Sequence, residues 1–343
     1  MITIADIARE ANVSKATVSK ALNGYAEISE ETRLRIAAIA KEMGYFPNAN
    51  AKGLITKKSY MVGVLFTESL DVGLEHPLFG GVIEAFKQTM GENGYDTIFI
   101  TSRIGNEKTS YLNHCKYRNV EGVFVCTFGG EDTLIHELFE SDIHCVTTDV
   151  DYNENVPIVI SDNVSGIEKG YDYLFGMGHR RIAYISGPLN TLSARERLNG
   201  YKKALRGNNQ PFKAIYVTYC DDYDYHFGVK SCHELLDQCG AAMPTAILAA
   251  SDMVALGIIE AVQSRGLKVP EDISVIGFDN IEIAKYCTPP LTTIKQSRRK
   301  IGVETANTLL SLIRGEEIAN RIVIPVELIE RQTCCPPRAV EED

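Results

Sequence analysis

The stretch TIADIAREANVSKATVSKALNG, residues 3–24, decides the fold of the amino-terminal part of the chain. Apolar residues recur through positions 4–11 at the spacing of one helix face, which predicts a short amphipathic helix. Asn12 tolerates the left-handed conformation of a tight turn, and Ser14 is a good N-cap for a second helix over Lys15–Leu22. Two short helices joined by such a turn are typical of a helix-turn-helix unit that reads DNA.

A third helix and the charge distribution support this interpretation. Ser29 caps a predicted helix that runs to Met43, and Gly44 stops it. Residues 1–60 carry nine Lys or Arg and six Asp or Glu, whereas the other residues carry 26 and 39. A basic head on an acidic body indicates that the head meets a polyanion. The alternative is a structural three-helix cap, but the outward face of the second helix is short, polar and basic.

The segment after the third helix has unusual composition for a stable helix. Residues 45–54 read YFPNANAKGL, with an early proline, small residues and an isolated Leu54. Gly53 weakens a helix by roughly 1 kcal/mol relative to alanine. We therefore predict a marginal helix that orders only on contact.

Together, residues 3–24 and the following GYFPNANAKGL resemble the lac repressor family of bacterial transcription regulators. The resemblance implies that the second helix lies in the major groove and that the later segment is a hinge entering the minor groove. Its Leu54 would be a wedge between base pairs. Lys20 would donate to guanine, Ala16 would touch a thymine methyl, and Lys15 would also read bases. Phosphate contacts are implied for Ser14, Thr17 and Asn23, and further hinge contacts for Asn48, Ala51 and Lys52.

From Tyr60 onward, short apolar runs alternate with helical stretches, beginning with the run YMVGVLF. Such alternation predicts parallel sheets with helices on both faces. The alternation restarts after residue 161, which predicts two similar subdomains. The expected fold class is α/β, with two doubly wound parallel-sheet subdomains preceded by an all-α helix-turn-helix head. Ligands on such sheets bind beyond the carboxyl ends of the strands, here in the cleft between the subdomains.

The body resembles the effector domain of the same family, which has a periplasmic-binding-protein-like fold. The matching blocks are GHRRIAYISGPLNTLSARERLNGYKKAL, PTAILAASDMVALG, VPEDISVIGFDN and PPLTTIKQ. In that fold the chain crosses between subdomains three times, expected near Ser161, residues 291–293 and Pro325. The expected domains are a head (1–46), a hinge and linker (47–59), an N-terminal subdomain (60–161 plus 292–325) and a C-terminal subdomain (162–291 plus 326–343).

Candidate ligand-binding residues follow from strand ends and from the resemblance. Sugars are held by arginine and carboxylate groups that span adjacent hydroxyls, with an aromatic face against the ring. Arg197 opens a helix where relatives use an arginine for ligand hydroxyls, and Asp279 ends a strand as its matching acceptor. The other candidates are Asp149, Ser251, the platform Tyr223, the wall residues His76, Leu78 and Phe79, and Arg298. Asp252 is interpreted as an N-cap and His179 as structural. For Asp149 the alternative is a residue that only terminates a strand.

Several chemistries have no signal in the sequence. There is no GxxxxGK[ST], GxSxG or HExxH motif, no strand followed by GxGxxG, and no zinc spacing among the seven histidines. We therefore expect no enzyme, no cofactor and no metal. No apolar run reaches the length of a membrane span, and the N-terminus MITIADIARE lacks the pattern of a secretory signal. A cytoplasmic protein with reduced thiols is expected.

The sequence thus predicts a ligand-responsive DNA-binding regulator, most often a repressor in this family. Operator DNA and a sugar or glycoside effector are the expected partners, with a purine or a phosphoprotein as alternatives. The family's tetramers need an appended heptad helix, and only QTCCPPRAVEED follows Arg331, so a homodimer is expected. The rival interpretations are a sugar-binding protein whose head docks a protein partner, and an enzyme built on the same cleft.

Overall fold

The structure is a computed structural model that describes residues 2–46, 58–67, 72–127, 133–151 and 155–338. The chain divides into two compact units, a head (1–59) and a body (60–343). The predicted hinge contacts Asn48, Ala51, Lys52 and Leu54 lie outside the described residues. Among the helices that are described, none has both the length and the apolar character that crossing a bilayer requires.

The described part of the head contains three helices, α1 (Ile4–Glu10), α2 (Lys15–Leu22) and α3 (Glu30–Glu42). Asn12 has a φ of 51°, so the predicted left-handed turn residue is confirmed. The Ser14 hydroxyl accepts a hydrogen bond of 3.0 Å from the Thr17 amide and caps α2, as predicted. The three helices pack around one small core of buried side chains, which comprises Ile7, Ala8, Ala11, Val18, Ala21, Ile36 and Ala40.

The body alternates strands and helices through two sheets. The strands and helices of its first half are β1 (Met61–Thr67), α4 (Phe79–Glu92), β2 (Asp96–Phe99), β3 (Arg103–Ile104), β4 (Glu107–Lys108), α5 (Tyr111–Arg118), β5 (Gly122–Thr127), α6 (Thr133–Phe139), β6 (His144–Thr148) and β7 (Ile158–Ser161). Those of its second half are α7 (Asn163–Gly176), β8 (Ile182–Ser186), α8 (Leu192–Gly207), β9 (Val217–Tyr219), α9 (Tyr225–Cys239), β10 (Ala246–Ala249), α10 (Asp252–Ser264), β11 (Ser274–Asp279), β12 (Thr292–Lys295), α11 (Arg298–Ile313), β13 (Arg321–Ile324) and β14 (Glu327–Ile329).

The first sheet has the strand order β13-β7-β6-β5-β1-β2, and all of its pairs are parallel. Its central strand β5 is buried along its whole length, as expected for a strand covered on both faces. Phe124 packs in a core with α4 and α11, whereas the neighbouring Val123 packs in a separate core with α5 and α6. The alternating side chains of one strand therefore serve two helix layers.

The second sheet has the order β14-β12-β11-β10-β8-β9 and is parallel except for the edge strand β14, which runs antiparallel to β12. Ile185 of β8 packs against α9 and α10, and the adjacent Tyr184 packs against α7 and α8. The two sheets are thus built alike, and the expected fold class of two parallel-sheet subdomains is confirmed.

One crossing between the subdomains differs from the sequence-based expectation. Thr292–Lys295 forms a strand of the second sheet, so the chain crosses after Lys295 and not at residues 291–293. The pattern Thr-Thr-Ile-Lys gives no sign of which sheet provides its partner, because partner choice is a tertiary property.

Candidate functional site

A cleft in the body is lined by side chains from both subdomains. It encloses about 640 Å³ of empty space, including the part open to solvent. Most of its walls come from the carboxyl ends of strands and from the starts of the helices that follow. Its lining residues are His76, Leu78, Phe79, Thr148, Asp149, Ile160, Ser161, Asn163, Ser193, Arg197, Asp222, Tyr223, Asp279, Gln296 and Ile301.

Arg197 lies in the first half of α8 and is 5% exposed. Its Nε donates to Asn163 Oδ1 at 2.8 Å, and its Nη1 donates to the Ala250 carbonyl. Its guanidinium carbon lies 3.8 Å from the centre of the Phe278 ring, in a cation–π contact. These contacts fix the plane of the guanidinium, while Nη2 stays 4.0 Å from Asp279 Oδ1, too far for a direct hydrogen bond.

Asp279 ends strand β11 and Asp149 follows strand β6, and both have a backbone conformation that is rare for residues other than glycine. The φ of Asp279 is 124° and that of Asp149 is 62°. Such conformations cost free energy and persist where the surrounding contacts enforce them. Gln296 donates its side-chain amide to Asp279 Oδ1 and holds that carboxylate beside the cleft. The strained strand ends thus aim two carboxylates into one cavity.

Asp149 connects the two subdomains directly. Ser193, at the start of α8, donates its backbone amide to Asp149 Oδ1 and its hydroxyl to Oδ2, both at 3.0 Å. The Tyr223 hydroxyl lies 2.9 Å from the Ser193 hydroxyl and 2.9 Å from that of Thr191. A network of hydroxyls therefore surrounds the Asp149 carboxylate. The sequence-based alternative, that Asp149 only terminates a strand, does not account for these contacts.

Burial changes the acidity of these carboxyls. Burial raises the pKa of Asp149 to about 6, although the positive charge of Arg197 and the donors of Ser193 act in the opposite direction. Burial likewise raises the pKa of Asp279 above its ordinary value, against the attraction of Arg197. The two carboxylates facing the cavity are thus easier to protonate than exposed aspartates.

Tyr223 lies against the backbone of Gly187, just beyond the end of β8. A Cβ atom at position 187 would lie 2.4 Å from Tyr223 Cε1, closer than two such atoms can approach. Glycine at this position therefore allows the aromatic ring to lie flat beside the strand end. This contact places the predicted platform Tyr223 in the wall of the cleft.

The loop before α4 supplies the apolar wall. The backbone amides of Leu78 and Phe79 donate to His76 Nδ1 at 3.3 and 3.4 Å, and the His76 and Phe79 rings lie 4.9 Å apart. Arg298 donates from Nη1 to the Pro77 carbonyl at 2.9 Å. Arg298, predicted as a ligand contact, is not among the described residues that line the cleft. It instead supports this loop from behind, because its side chain extends across Gly81.

Ser251 is the other predicted contact that does not line the cleft. Its hydroxyl accepts a hydrogen bond of 3.1 Å from the Val254 amide and caps α10. Asp252, expected as that cap, is fully buried and accepts hydrogen bonds from the Ile281 amide and the Thr293 hydroxyl. Gly277 makes room for this carboxylate, since a Cβ there would lie 2.2 Å from Asp252 Oδ1. Asp252 therefore joins strands of the second sheet.

Sequence reasoning missed several lining residues. They share a position at a strand end or at the first turn of the next helix, which is the signal that would have identified them. They are Thr148, Ile160, Ser161, Asn163, Ser193, Asp222, Gln296 and Ile301. His179, interpreted as structural, contacts the Thr245 hydroxyl and the Cys335 carbonyl, each at 2.9 Å, and is 1% exposed. Among the described residues, no group of three or more His, Cys, Asp or Glu could hold a metal ion.

The head presents a second candidate surface along α2. Lys15, Ala16 and Lys20 are exposed, while Val18 and Ala21 of the same helix are buried. Asn23 donates its side-chain amide to the Ser19 carbonyl at 2.7 Å. A short helix with a polar, basic outward face has the dimensions and charge that suit the major groove. A DNA-reading head and a body with a polar cleft define a ligand-responsive DNA-binding regulator.

Comparison with known proteins identifies the family. The family model for bacterial regulatory proteins of the lacI family matches residues 3–48, and that for a periplasmic binding protein-like domain matches residues 171–334. The HTH-type transcriptional regulator CelR of Thermobifida fusca is 31% identical over 335 residues, which cover 96% of this chain and 98% of CelR. The chain belongs to the lacI family of bacterial regulatory proteins.

Solved structures agree with this assignment. The lac repressor dimer bound to operator and the anti-inducer ONPF is 30% identical and has a TM-score of 0.78, covering 97% of this chain and 99% of that one. A complex of the transcriptional regulator CelR with cellobiose is 29% identical and has a TM-score of 0.72, covering 97% and 100%. The predicted family and the predicted function as a ligand-responsive DNA-binding transcription regulator are confirmed. The relatives are named as transcription regulators and not as enzymes.

Proposed function

We propose that this protein is a repressor that binds a pseudo-palindromic operator as a homodimer and responds to a neutral sugar or glycoside in the cleft. One observation carries the effector class: Arg197 Nη2 and Asp279 Oδ1 lie 4.0 Å apart in the wall of the cavity. A ligand hydroxyl between them accepts from the guanidinium and donates to the carboxylate. Because the guanidinium is already fixed, this arrangement binds a ligand hydroxyl at little entropic cost.

The charge of the cleft supports a neutral ligand over an anionic one. Three lining residues are carboxylic acids, Asp149, Asp222 and Asp279, and Arg197 is the permanent cation among the described lining residues. A carboxylate or phosphate on the ligand would meet like charge in a poorly hydrated space, where repulsion is strong. Tyr223 and Phe79 supply aromatic surface for a sugar ring. The CelR–cellobiose complex, at 29% identity, supports the same ligand class.

We assign the DNA contacts to the head and the hinge. Lys15, Ala16 and Lys20 read bases in the major groove, while Ser14 and Thr17 at the start of α2 and Asn23 at its end meet phosphates. The hinge contacts are Asn48, Ala51, Lys52 and Leu54. The lac repressor structure, a dimer bound to operator, supports this mode and the dimeric state. The cytoplasm is the proposed location, because the DNA that such a regulator binds is there.

The domain assignment follows the described sheets. We assign a head (1–46), a hinge and linker (47–59), an N-terminal subdomain (60–161 and 298–325) and a C-terminal subdomain (162–295 and 326–338). We propose that the cleft binds its ligand without chemical conversion. The naming of the relatives as transcription regulators supports this proposal.

Calorimetry of sugar binding tests the cleft. Arg197→Ala should abolish binding of the sugar that gives the wild type its largest thermal shift in a panel of neutral mono- and disaccharides. Arg195→Ala is the matched control, because Arg195 pairs with Asp151 on the surface at 2.9 Å. Equal affinity in both variants would contradict the assigned role. For the head, Lys15→Ala combined with Lys20→Ala should remove the preference for a palindromic duplex while sugar binding persists.

A further inference from the structure

The base-reading helix contains an internal ion pair. The Lys20 ammonium donates a hydrogen bond to Glu27, which lies in the turn between α2 and α3. The Tyr25 amide donates to the Lys20 carbonyl at 3.1 Å, and the Ile28 amide donates to the Tyr25 carbonyl at 3.2 Å. These bonds fold the turn back along the end of α2, so that Glu27 faces Lys20.

Both members of the pair are available to DNA. Their side chains are 46% and 67% exposed, so the pair lies on the surface and not in the small core of the head. The bond to Glu27 raises the pKa of Lys20 and keeps it protonated. A surface pair of this kind adds little to folding stability, so stability gives no strong reason for a carboxylate beside a DNA-reading lysine.

Glu27 changes how Lys20 interacts with a phosphate. A free lysine that meets the DNA backbone releases condensed counterions, which is the main source of non-specific affinity. Lys20 exchanges one anion for another when it leaves Glu27 for a phosphate, and Glu27 is then left unpaired near a polyanion. Contact with random duplex is therefore weakened.

The same pair remains compatible with reading guanine. The ammonium group has three N–H donors. One donor can stay on Glu27 while the other two reach O6 and N7 of a guanine. A lysine held in one place also loses less side-chain freedom when it makes these bonds.

We propose that Glu27 is a specificity-determining residue, which positions Lys20 for guanine and lowers the affinity of the head for phosphates. This inference rests on the proposed base-reading role of Lys20. Glu27 acts through Lys20 and needs no contact of its own with a base. The negative charge of Glu27 consequently lowers the affinity for random duplex, whereas it is compatible with binding to the operator.

The test compares the full chain with Glu27→Gln on two duplexes of equal length, an operator selected by the wild type from a random pool and its scrambled form. The variant should bind scrambled duplex more tightly than the wild type does at 50 mM salt. Its affinity should also fall more steeply as salt rises, because the slope of log affinity against log salt concentration should be steeper by roughly 0.9 per head. For a two-headed dimer this difference is on the order of tenfold between 50 and 200 mM salt. Operator affinity should change much less, so the specificity ratio falls.

Two further variants separate positioning from general charge. Glu10→Gln removes the same charge from another exposed site of the head and should leave the specificity ratio near that of the wild type. Glu27→Asp keeps the carboxylate and should have a specificity ratio between those of Glu27→Gln and the wild type. The proposal is overturned if Glu27→Gln matches Glu10→Gln in ratio and slope, or weakens both duplexes equally. A wild type that prefers no palindromic duplex at all would instead refute the base-reading role on which the proposal rests.

Discussion

The Asp149 carboxylate, at the end of a strand in one subdomain, accepts two hydrogen bonds of 3.0 Å from Ser193, at the start of a helix in the other. Asp149 also lines the cleft, so one side chain serves both the contact between subdomains and the ligand site. A ligand that binds Asp149 must compete with Ser193 or extend its network. We therefore expect ligand occupancy to change the angle between the subdomains, and any coupling between ligand and DNA binding to be reciprocal.

Ser193→Ala should destabilise the body although it removes no apolar side chain from the core. The change removes a hydroxyl donor from a partly buried carboxylate, and hydrogen bonds to charged groups contribute about 1.5–3 kcal/mol. Denaturant unfolding of the wild type and variant measures the difference in the free energy of unfolding. Ser264→Ala is the control, because its hydroxyl bonds to the Ala261 carbonyl of its own helix. Equal effects of the two changes would contradict a special role for the Asp149–Ser193 contact.

The raised pKa of Asp149 predicts a pH dependence of stability. Between the ordinary aspartate pKa of 3.8 and the value of about 6, the folded state binds the proton that the unfolded state has lost. The contribution of protonated Asp149 is therefore complete below pH 3.8 and is lost as the pH rises through about 6. The free energy of unfolding of Asp149→Asn, measured by urea titration from pH 4.5 to 7.5, should decline less than that of the wild type, because the raised pKa of Asp279 still contributes. Parallel pH profiles of the wild type and the variant would argue against the assignment.

Gly187→Ala should damage the ligand site through Tyr223. The added Cβ would lie 2.4 Å from the ring, so the ring must move and its hydroxyl must leave Thr191 and Ser193. Overpacking of this kind typically costs about 1–3 kcal/mol. Calorimetry should show weaker sugar binding, and thermal unfolding should show a lower midpoint. Gly91→Ala, where nothing lies within 4 Å, should leave binding unchanged; a similar loss there would exclude the proposed cause.

Arg298→Met should weaken sugar binding although Arg298 does not line the cleft. The guanidinium holds the Pro77 carbonyl at 2.9 Å, and the residues that follow Pro77 form the apolar wall. Methionine preserves much of the side-chain length but removes the donor. Arg299→Met, at the exposed neighbouring position, is the control in the same titration. Unaltered affinity in Arg298→Met would show that the loop keeps its position without this bond.

Local patterns in the sequence determined the head and the alternation of the body. The Ser14 cap, the Asn12 turn and the buried face of α2 are properties of adjacent residues, which sequence spacing reports directly. The strand ends that carry Asp149 and Asp279 were also predictable, because the carboxyl ends of parallel strands meet at one edge of a sheet. Strand partners that are distant in sequence were harder to predict, as the strand Thr292–Lys295 shows.

Only the tertiary structure decided what individual polar side chains do. Arg197 and Arg298 are both arginines near a helix start, yet the first faces the cleft and the second supports a loop from behind. Ser251 and Asp252 are neighbours, but one caps a helix and the other joins strands of the second sheet. The physical reason is that burial and hydrogen-bond partners come from segments tens to hundreds of residues away. The order of residues alone does not show which of these distant segments meet in the folded chain.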